Sequence, residues 1–589
     1  MKRDAKGRPG GFRGFSMNKL SRRSFLTGAS MAAVAAAGAS VALADSVPSD
    51  NAMSDAQSLA LTNVNGIASD PNYVIDIANG EPKWAFEIAP DPIPEDQITG
   101  TIEDDIIVIG GGMAGFVTAA SAAEQGASVT LFTASATPIS RGGSNFSAYN
   151  KVIEEYGIDK LDPVPFFYKE MRAASYTIDQ QMWMRAYNNS EEAMNWLIDL
   201  VRDKDVEVFL ERDNINDGGP NYAIAFGAVG DNEGSASTGQ QNAVEAVAKF
   251  AEEKGAKITC NVVAKQLVKD DSGAVVGVIA QNADGTYVEY KGKYIVMATG
   301  GFCADKNMVA KYIPQVIPLV GTDPVDVDYN TGFALTGIYA GDGQKMGLWA
   351  GAAWQKCSAA PIMQGAWSGS NEPLTFHQGL NVNLNTERYQ REDVSAPYTA
   401  NHLLQQPGRL AYGIWTANFA QDVIDTGREF YYFNTRYDVP AATADEVVAK
   451  WDAECEKFDT LAELAEAHGL DAEKLQAVVD RYNELVDLGE DLDFHKNPDY
   501  LVRIDPDGPF YCAMNYPMFM STEAGLNTNV NAQVCDANDQ PIPGLFNVGQ
   551  MMGNMYANNY NFAIPGMSYG LNCITYGYLL GRDLAAGKF

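Results

Sequence analysis

The chain has 589 residues with 42 basic against 75 acidic side chains, a formal charge of −33, a balance that repels phosphate backbones and excludes nucleic acid as a partner. Its seven cysteines (260, 303, 357, 455, 512, 535, 573) and four histidines (377, 402, 468, 495) show neither C-x-x-C nor ligand spacing. No iron–sulfur cluster, haem attachment site, zinc ribbon or other metal site is therefore indicated.

Taken in order, the chain opens with basic residues, then Ser21-Arg22-Arg23-Ser24-Phe25-Leu26, then an alanine-rich apolar stretch ending in Ala42-Leu43-Ala44. This pattern predicts a twin-arginine export signal over residues 1–44, too mild and too short for a membrane span, with small residues set for cleavage before Asp45. The expected location is the periplasm or the outer face of the cell membrane. Residues 1–44 carry eight basic side chains and one acidic one, so the remainder holds 34 against 74, a formal charge of −40. Residues 45–100 are polar and dotted with Pro90, Pro92 and Pro94, and read as an extended segment laid over the body.

Asp104 to Gly115, DDIIVIGGGMAG, organises the rest of the chain. Ile106 to Ile109 form an apolar strand, Gly110, Gly112 and Gly115 give G-x-G-x-x-G, and a helical run (Phe116 to Gln125) and a second strand (Ser128 to Thr133) come next. Such a turn lets the backbone bend tightly, lets a pyrophosphate approach the amides, and lets the helix pack on the strand. The acid expected about 20 residues on, for a ribose hydroxyl, is replaced by Thr133. A hydroxyl still holds a ribose, but a neutral bond contributes roughly 0.5–1.5 kcal/mol against roughly 1.5–3 for a charged one; alternatively a neighbouring strand supplies the acid. Beyond this unit come the small-residue loop Arg141-Gly142-Gly143-Ser144-Asn145, an apolar strand Tyr294 to Ala298 running into Thr299-Gly300-Gly301-Phe302, and a helix opened by Gly341-Asp342-Gly343. Further on, Asp459 or Thr460 starts a helix that Gly469 ends. Asp471 starts another, Ala472 to Leu488, with Leu475, Val478, Val479 and Tyr482 on one face. His468 and His495 read as surface or structural residues.

DDIIVIGGGMAG, RGGSN, YIVMATGGF, GDGQKMGLWAGA, GPFYC (508–512) and IPGLFNVG (542–549) together resemble the FAD-dependent fumarate reductase and succinate dehydrogenase flavoproteins. Within that family the chain is most similar to the soluble flavocytochrome-type reductases and the 3-ketosteroid dehydrogenases. The resemblance spans roughly 101–589. It implies an α/β fold: a Rossmann-type FAD-binding domain (101–354 and 521–589) split by an inserted α+β capping domain (355–520). It also implies FAD contacts at Gly110, Gly112, Ala114, Gly115, Thr133, Gly143, Ser144, Thr299, Gly300, Asp342, Gln550, Ser568, Tyr569 and Gly570. Gln550, like Thr133, stands where the family has Glu. No histidine lies near Ser140 to Ser144 to tether the flavin, so the resemblance implies noncovalent FAD.

The family's substrate clamp is absent. Laid over the family motifs, its proton-donating Arg falls at Ala396, its two clamping histidines at Ala360 and Ser521, and a further Arg at Ile564. Charge-assisted bonds contribute roughly 1.5–3 kcal/mol each, so loss of the whole set argues against fumarate. After Gln540 no charged residue or histidine occurs up to Gly581, while Met551, Met552, Met555, Tyr556, Tyr560, Phe562, Met567 and Tyr569 recur. Such a wall suits a flat, conjugated, largely neutral substrate, or else is plain core around the flavin. Candidate proton donors are Tyr398, two positions beyond the lost Arg, then Tyr560 and Tyr569, since a phenol of pKa about 10 can protonate beside a developing enolate. Glu523 and Ser521 are expected to orient substrate or relay a proton, and Arg388 and Glu392 to pair as ions within the cap. The expected activity is reduction of an activated C=C bond in an enone, steroid or aryl-acrylate. Electrons would come from a separate cytochrome or quinol-linked donor, as in a terminal reductase of anaerobic respiration. Two alternatives stand: ketosteroid-type desaturation, and an FAD-binding electron-transfer subunit without alkene turnover.

Overall fold

A computed structural model describes residues 73–589 except 77–80, 141, 213–219, 229–235, 321–337, 368–378, 427–429 and 431–435. The expected export signal lies outside the described residues, as do Arg141 and His377.

The apolar runs of the sequence become the centre of a six-stranded sheet. Its order is Gln533–Cys535, Pro541–Asn547, Tyr294–Met297, Ile106–Ile109, Val129–Phe132 and Lys257–Thr259, parallel throughout except for the first strand. Ile106–Ile109 and Val129–Phe132 are buried along their whole length, as befits parallel strands covered on both faces. One cover is the helix Met113–Glu124, buried at every position from Met113 to Ala123. It lies against the C-terminal helix Tyr576–Ala585, where a Cβ on Gly581 would come within 2.4 Å of the Thr118 carbonyl oxygen. The other face carries a four-stranded sheet, Val262–Lys269, Val275–Asn282, Tyr287–Lys291 and Ile98–Glu103, joined to the first by a shared apolar core in which Phe132 stacks on Tyr290 at 4.3 Å. The strand Ile98–Glu103 thus crosses the position 100 at which the sequence suggested a boundary. Ahead of it, the segment is tied to the body: Trp349 donates to the Phe86 carbonyl at 2.7 Å, and Ile93 N–H to Gln266 at 2.9 Å.

The cap is built on a separate, antiparallel sheet. Its spine is the 14-residue strand Phe510–Glu523, flanked by Ala411–Thr416 and then Leu380–Asn383 on one side and by Ala360–Trp367 and Glu456–Phe458 on the other. Local signals place its helices as expected: Thr460 caps Leu461–His468, Gly469 ends it at φ 68°, and Asp471 caps Ala472–Leu488. Leu475, Val479 and Tyr482 are buried in the cap core. His468 Nε2 lies 2.9 Å from a Glu456 carboxylate oxygen and its ring packs on Tyr412, a structural role, and His495 is exposed. Arg388 pairs with Glu392 at 2.9 Å and Asp491 at 2.8 Å, while Lys496 reaches Glu392 at 3.1 Å, a buried ionic group that ties two stretches of the cap together.

Candidate active site

The strand Ile106–Ile109 ends where Gly110 takes φ 117°, and a Cβ there would sit 2.4 Å from the Ala298 carbonyl oxygen. Only glycine fits such a turn. A Cβ on Gly115 would lie 2.0 Å from the Gly110 carbonyl oxygen, so Gly115 seats the helix on the turn. Gly112 differs. A Cβ there would meet only the Ile139 carbonyl oxygen, at 3.8 Å, and as N-cap of Met113–Glu124 it has no side chain to cap the first amides. Uncapped N–H groups beside an open face suit a pyrophosphate, so the turn fits the cofactor its sequence implies.

A cleft opens from this turn. Gly110, Gly112, Ala114, Thr133, Thr299, Gly300, Asp342, Gln550 and Tyr569 line it, as do Ser140, Val262, Tyr339, Gly549 and Cys573, which the sequence reading missed. Asp342 is the one acid among the described lining residues, and the Thr133 hydroxyl sits 3.0 Å from that of Ser135. Five other expected contacts stand behind this lining. Gly115 packs the helix; a Cβ on Gly570 would lie 1.7 Å from the Phe146 carbonyl oxygen. The Ser144 hydroxyl donates to the Glu211 carboxylate at 2.8 Å, the Gly143 carbonyl accepts from Asn145 at 3.2 Å, and the Ser568 hydroxyl donates to Glu523.

From the cleft a string of polar groups leads to the cap. Ser521 donates to the side-chain oxygen of Gln550 at 3.3 Å. Glu523, last residue of the long cap strand and 1% exposed, is pushed up to about 8 by burial, against the opposing hydrogen bonds of Ser568 and Gln550. The Ser568 backbone N–H donates to the Tyr560 hydroxyl at 2.9 Å. Tyr560 packs edge-on against Tyr556 and Phe562, with centroids 5.2 and 4.7 Å away. Both buried phenols, Tyr556 and Tyr560, are raised well above their usual range, first by burial and then by the neighbouring carboxyls Glu523 and Glu170.

Glu170 is the residue the sequence reading overlooked. It projects from Pro163–Ala173, is 4% exposed, and is fixed by the Asn561 side-chain amide, which donates to one carboxylate oxygen at 2.9 Å. Burial pushes it up to about 7. A signal existed: Glu170 follows buried Phe166 by four residues and therefore shares its inward stripe. Tyr398, on the cap helix Ala396–Leu403, is 39% exposed, and burial followed by the Glu170 charge raises its phenol. Tyr398, Tyr560, Glu523 and Ser521 thus join one connected neighbourhood, whereas Tyr569 belongs to the cofactor cleft, its hydroxyl 3.4 Å from that of Ser140. Ala360 and Ile564, where the family clamp would place a histidine and an arginine, lie in one apolar core with Met555, Tyr556, Tyr560 and Met567. Among the described residues no helix is long and apolar enough to cross a membrane.

Comparison with known proteins agrees with this geometry. A sequence model of the FAD-binding domain matches residues 105–563. The chain is 28% identical to the urocanate reductase of Eggerthella lenta over 474 residues, covering 78% of this chain and 71% of that protein. It is 26% identical to the vinyl phenol reductase of Lactiplantibacillus plantarum over 511 residues, 81% of this chain and 95% of the relative. Among solved structures it resembles the open conformation of a flavocytochrome c3 fumarate reductase, with TM-score 0.59 at 22% identity, over 87% of this chain and 84% of that one. With the dinucleotide turn, the cleft and the cap in place, the chain belongs to the FAD-binding family of the fumarate reductase flavoproteins and is an FAD-dependent oxidoreductase.

Proposed function

We propose that the protein reduces an activated C=C bond in a small, flat, largely uncharged organic acceptor such as an enone, steroid or aryl-acrylate, and not fumarate. One observation carries the reading: beside an intact cofactor cleft, the charged groups that act on the Tyr556–Tyr560 wall are the carboxyls of Glu523 and Glu170, with no cation among them. A dicarboxylate would find no cation there to offset its desolvation, while a neutral conjugated molecule meets aromatic and thioether surface. Relatives that bear the names of urocanate and vinyl phenol reductases support alkene reduction by this scaffold.

Bound FAD supplies hydride from N5 to the electron-poor carbon. Tyr398 holds the proton for the adjacent carbon at its hydroxyl, from the cap side. Tyr560, held by the Ser568 N–H, positions the wall against which the substrate ring lies. Ser521 and Glu523 orient the substrate from beside Gln550, and burial keeps Glu523 mostly protonated at neutral pH, so that it donates rather than repels. The FAD is held noncovalently by the lining residues and by the Gly112 amides.

The electron donor is a separate cytochrome or quinol-linked carrier, and the enzyme acts as a terminal reductase outside the cytoplasmic membrane. The twin-arginine pattern of residues 1–44 supports the export.

The test is anaerobic. Holoenzyme with chemically reduced flavin is mixed with enones, steroids, cinnamates and dicarboxylates, and reoxidation is followed at the flavin absorbance band. Rapid reoxidation by a neutral conjugated alkene and none by fumarate is expected. Fumarate as the fastest acceptor, or no response to any alkene while a cytochrome still reoxidises the flavin, would overturn the reading.

A further inference from the structure

The polar string between cleft and cap ends in unpaired groups. Of the two Glu170 oxygens, Oε2 accepts from Asn561 at 2.9 Å, while Oε1 is buried without a partner. Both ends of the Asn561 side chain are engaged, its own oxygen accepting from the Ala563 N–H at 2.7 Å, so the carboxyl is held in one orientation. The Tyr556 hydroxyl is likewise buried without a partner, in a ring fixed edge-on between Trp183 at 5.6 Å and Tyr560 at 5.2 Å. Glu170 is near enough for its charge to act on Tyr556, Tyr560 and Tyr398. An acceptor and a donor, both buried and both held in place, therefore stand without a protein partner along one aromatic wall. Leaving such groups unpaired is costly, and a buried polar pair of this kind is an ordinary means of reading one substituent on a ligand.

We propose that Glu170 and Tyr556 form the recognition site for a hydroxyl group of the substrate. Such a hydroxyl donates to Glu170 Oε1 and accepts from the Tyr556 hydroxyl, satisfying both groups at once. A carboxylate in its place has no hydrogen to donate to Glu170 Oε1, and a bare ring would leave both unpaired. This rests on the alkene-reductase reading and narrows its substrate class to hydroxylated, conjugated acceptors, phenolic enones being the simplest.

The experiment uses holoenzyme with oxidised flavin, titrated with para-hydroxybenzylideneacetone and with benzylideneacetone and read by the flavin difference spectrum and by calorimetry. Wild type is expected to bind the hydroxylated compound about tenfold or more tightly than the bare one. Glu170→Leu is expected to bring the two affinities within about threefold by weakening only the hydroxylated ligand, and Tyr556→Phe to do so in part. Equal affinities in wild type, binding of neither compound, or an unchanged preference in both variants would overturn the assignment. Reoxidation of reduced flavin by benzylideneacetone reports separately on alkene reduction, so the two ideas fail in different assays.

Discussion

Glu523 and Glu170 are buried carboxyls, and burial raises both above the usual carboxylate range. Burial sets them to about 8 and about 7, against roughly 4.3 in an unfolded chain. Between those values the unfolded chain binds fewer protons than the native one. Stability contributed by the neutral acids is therefore complete at low pH, falls as pH rises, and levels off above the folded values, each unit being worth roughly 1.4 kcal/mol per group. Thermal melting of the holoenzyme is expected at a lower temperature at pH 8 than at pH 5, and Glu523→Gln to flatten that slope. At the same scale, Tyr398→Phe is expected to lower alkene turnover about 10²–10⁴-fold, with flavin occupancy and flavin reduction unchanged by absorbance. Unaltered turnover would remove Tyr398 from the chemistry. Tyr398, Tyr560, Glu523 and Ser521 could be chosen from sequence because they stand beside positions where a charged ligand was replaced. Glu170 could not be chosen that way. Its one signal is the spacing from Phe166, and what singles it out is Asn561, distant in sequence, gripping one of its oxygens.

At the scale of elements, the two glycines of the dinucleotide turn separate binding from packing. Gly112→Ala places its methyl in open space on the cleft side, so the apoprotein is expected to melt within a degree or two of wild type while flavin affinity drops by about tenfold or more. Gly115→Ala drives a methyl into the Gly110 carbonyl and is expected to lower the melting temperature and flavin occupancy together. Equal losses in both variants would mean that Gly112 too is a packing residue. The strand–turn–helix and the caps at Thr460, Gly469 and Asp471 were legible because their chemistry is local: an apolar run, a side-chain oxygen over the first amides, a left-handed glycine. Pairings across long separations were not. Nothing near Ile98 announces that it will lie along Tyr287–Lys291, and nothing near Gly581 announces that it will press on Thr118. Likewise Ser144 and Ser568 matched the family pattern, but their hydroxyls are engaged by Glu211 and Glu523.

Across the whole molecule, the acidic excess sets how electrons can arrive. A chain of charge −33 attracts a cationic carrier over distances comparable to the Debye length. The rate of flavin reduction by reduced methyl viologen, a cation, is expected to fall severalfold between low and physiological salt, while a neutral donor is indifferent. Rates with the two donors that respond equally to salt would argue against electrostatic steering. The strand Phe510–Glu523 extends roughly 45 Å at about 3.3 Å per residue, from the pairing with Glu456–Phe458 deep in the cap to the carboxyl beside Gln550. Exchanging caps between relatives by recombination must cut this strand or carry its tail along, so a lineage that acquires a new cap inherits Ser521 and Glu523 with it. Acceptor preference and the acid beside Gln550 would then evolve as a single heritable unit.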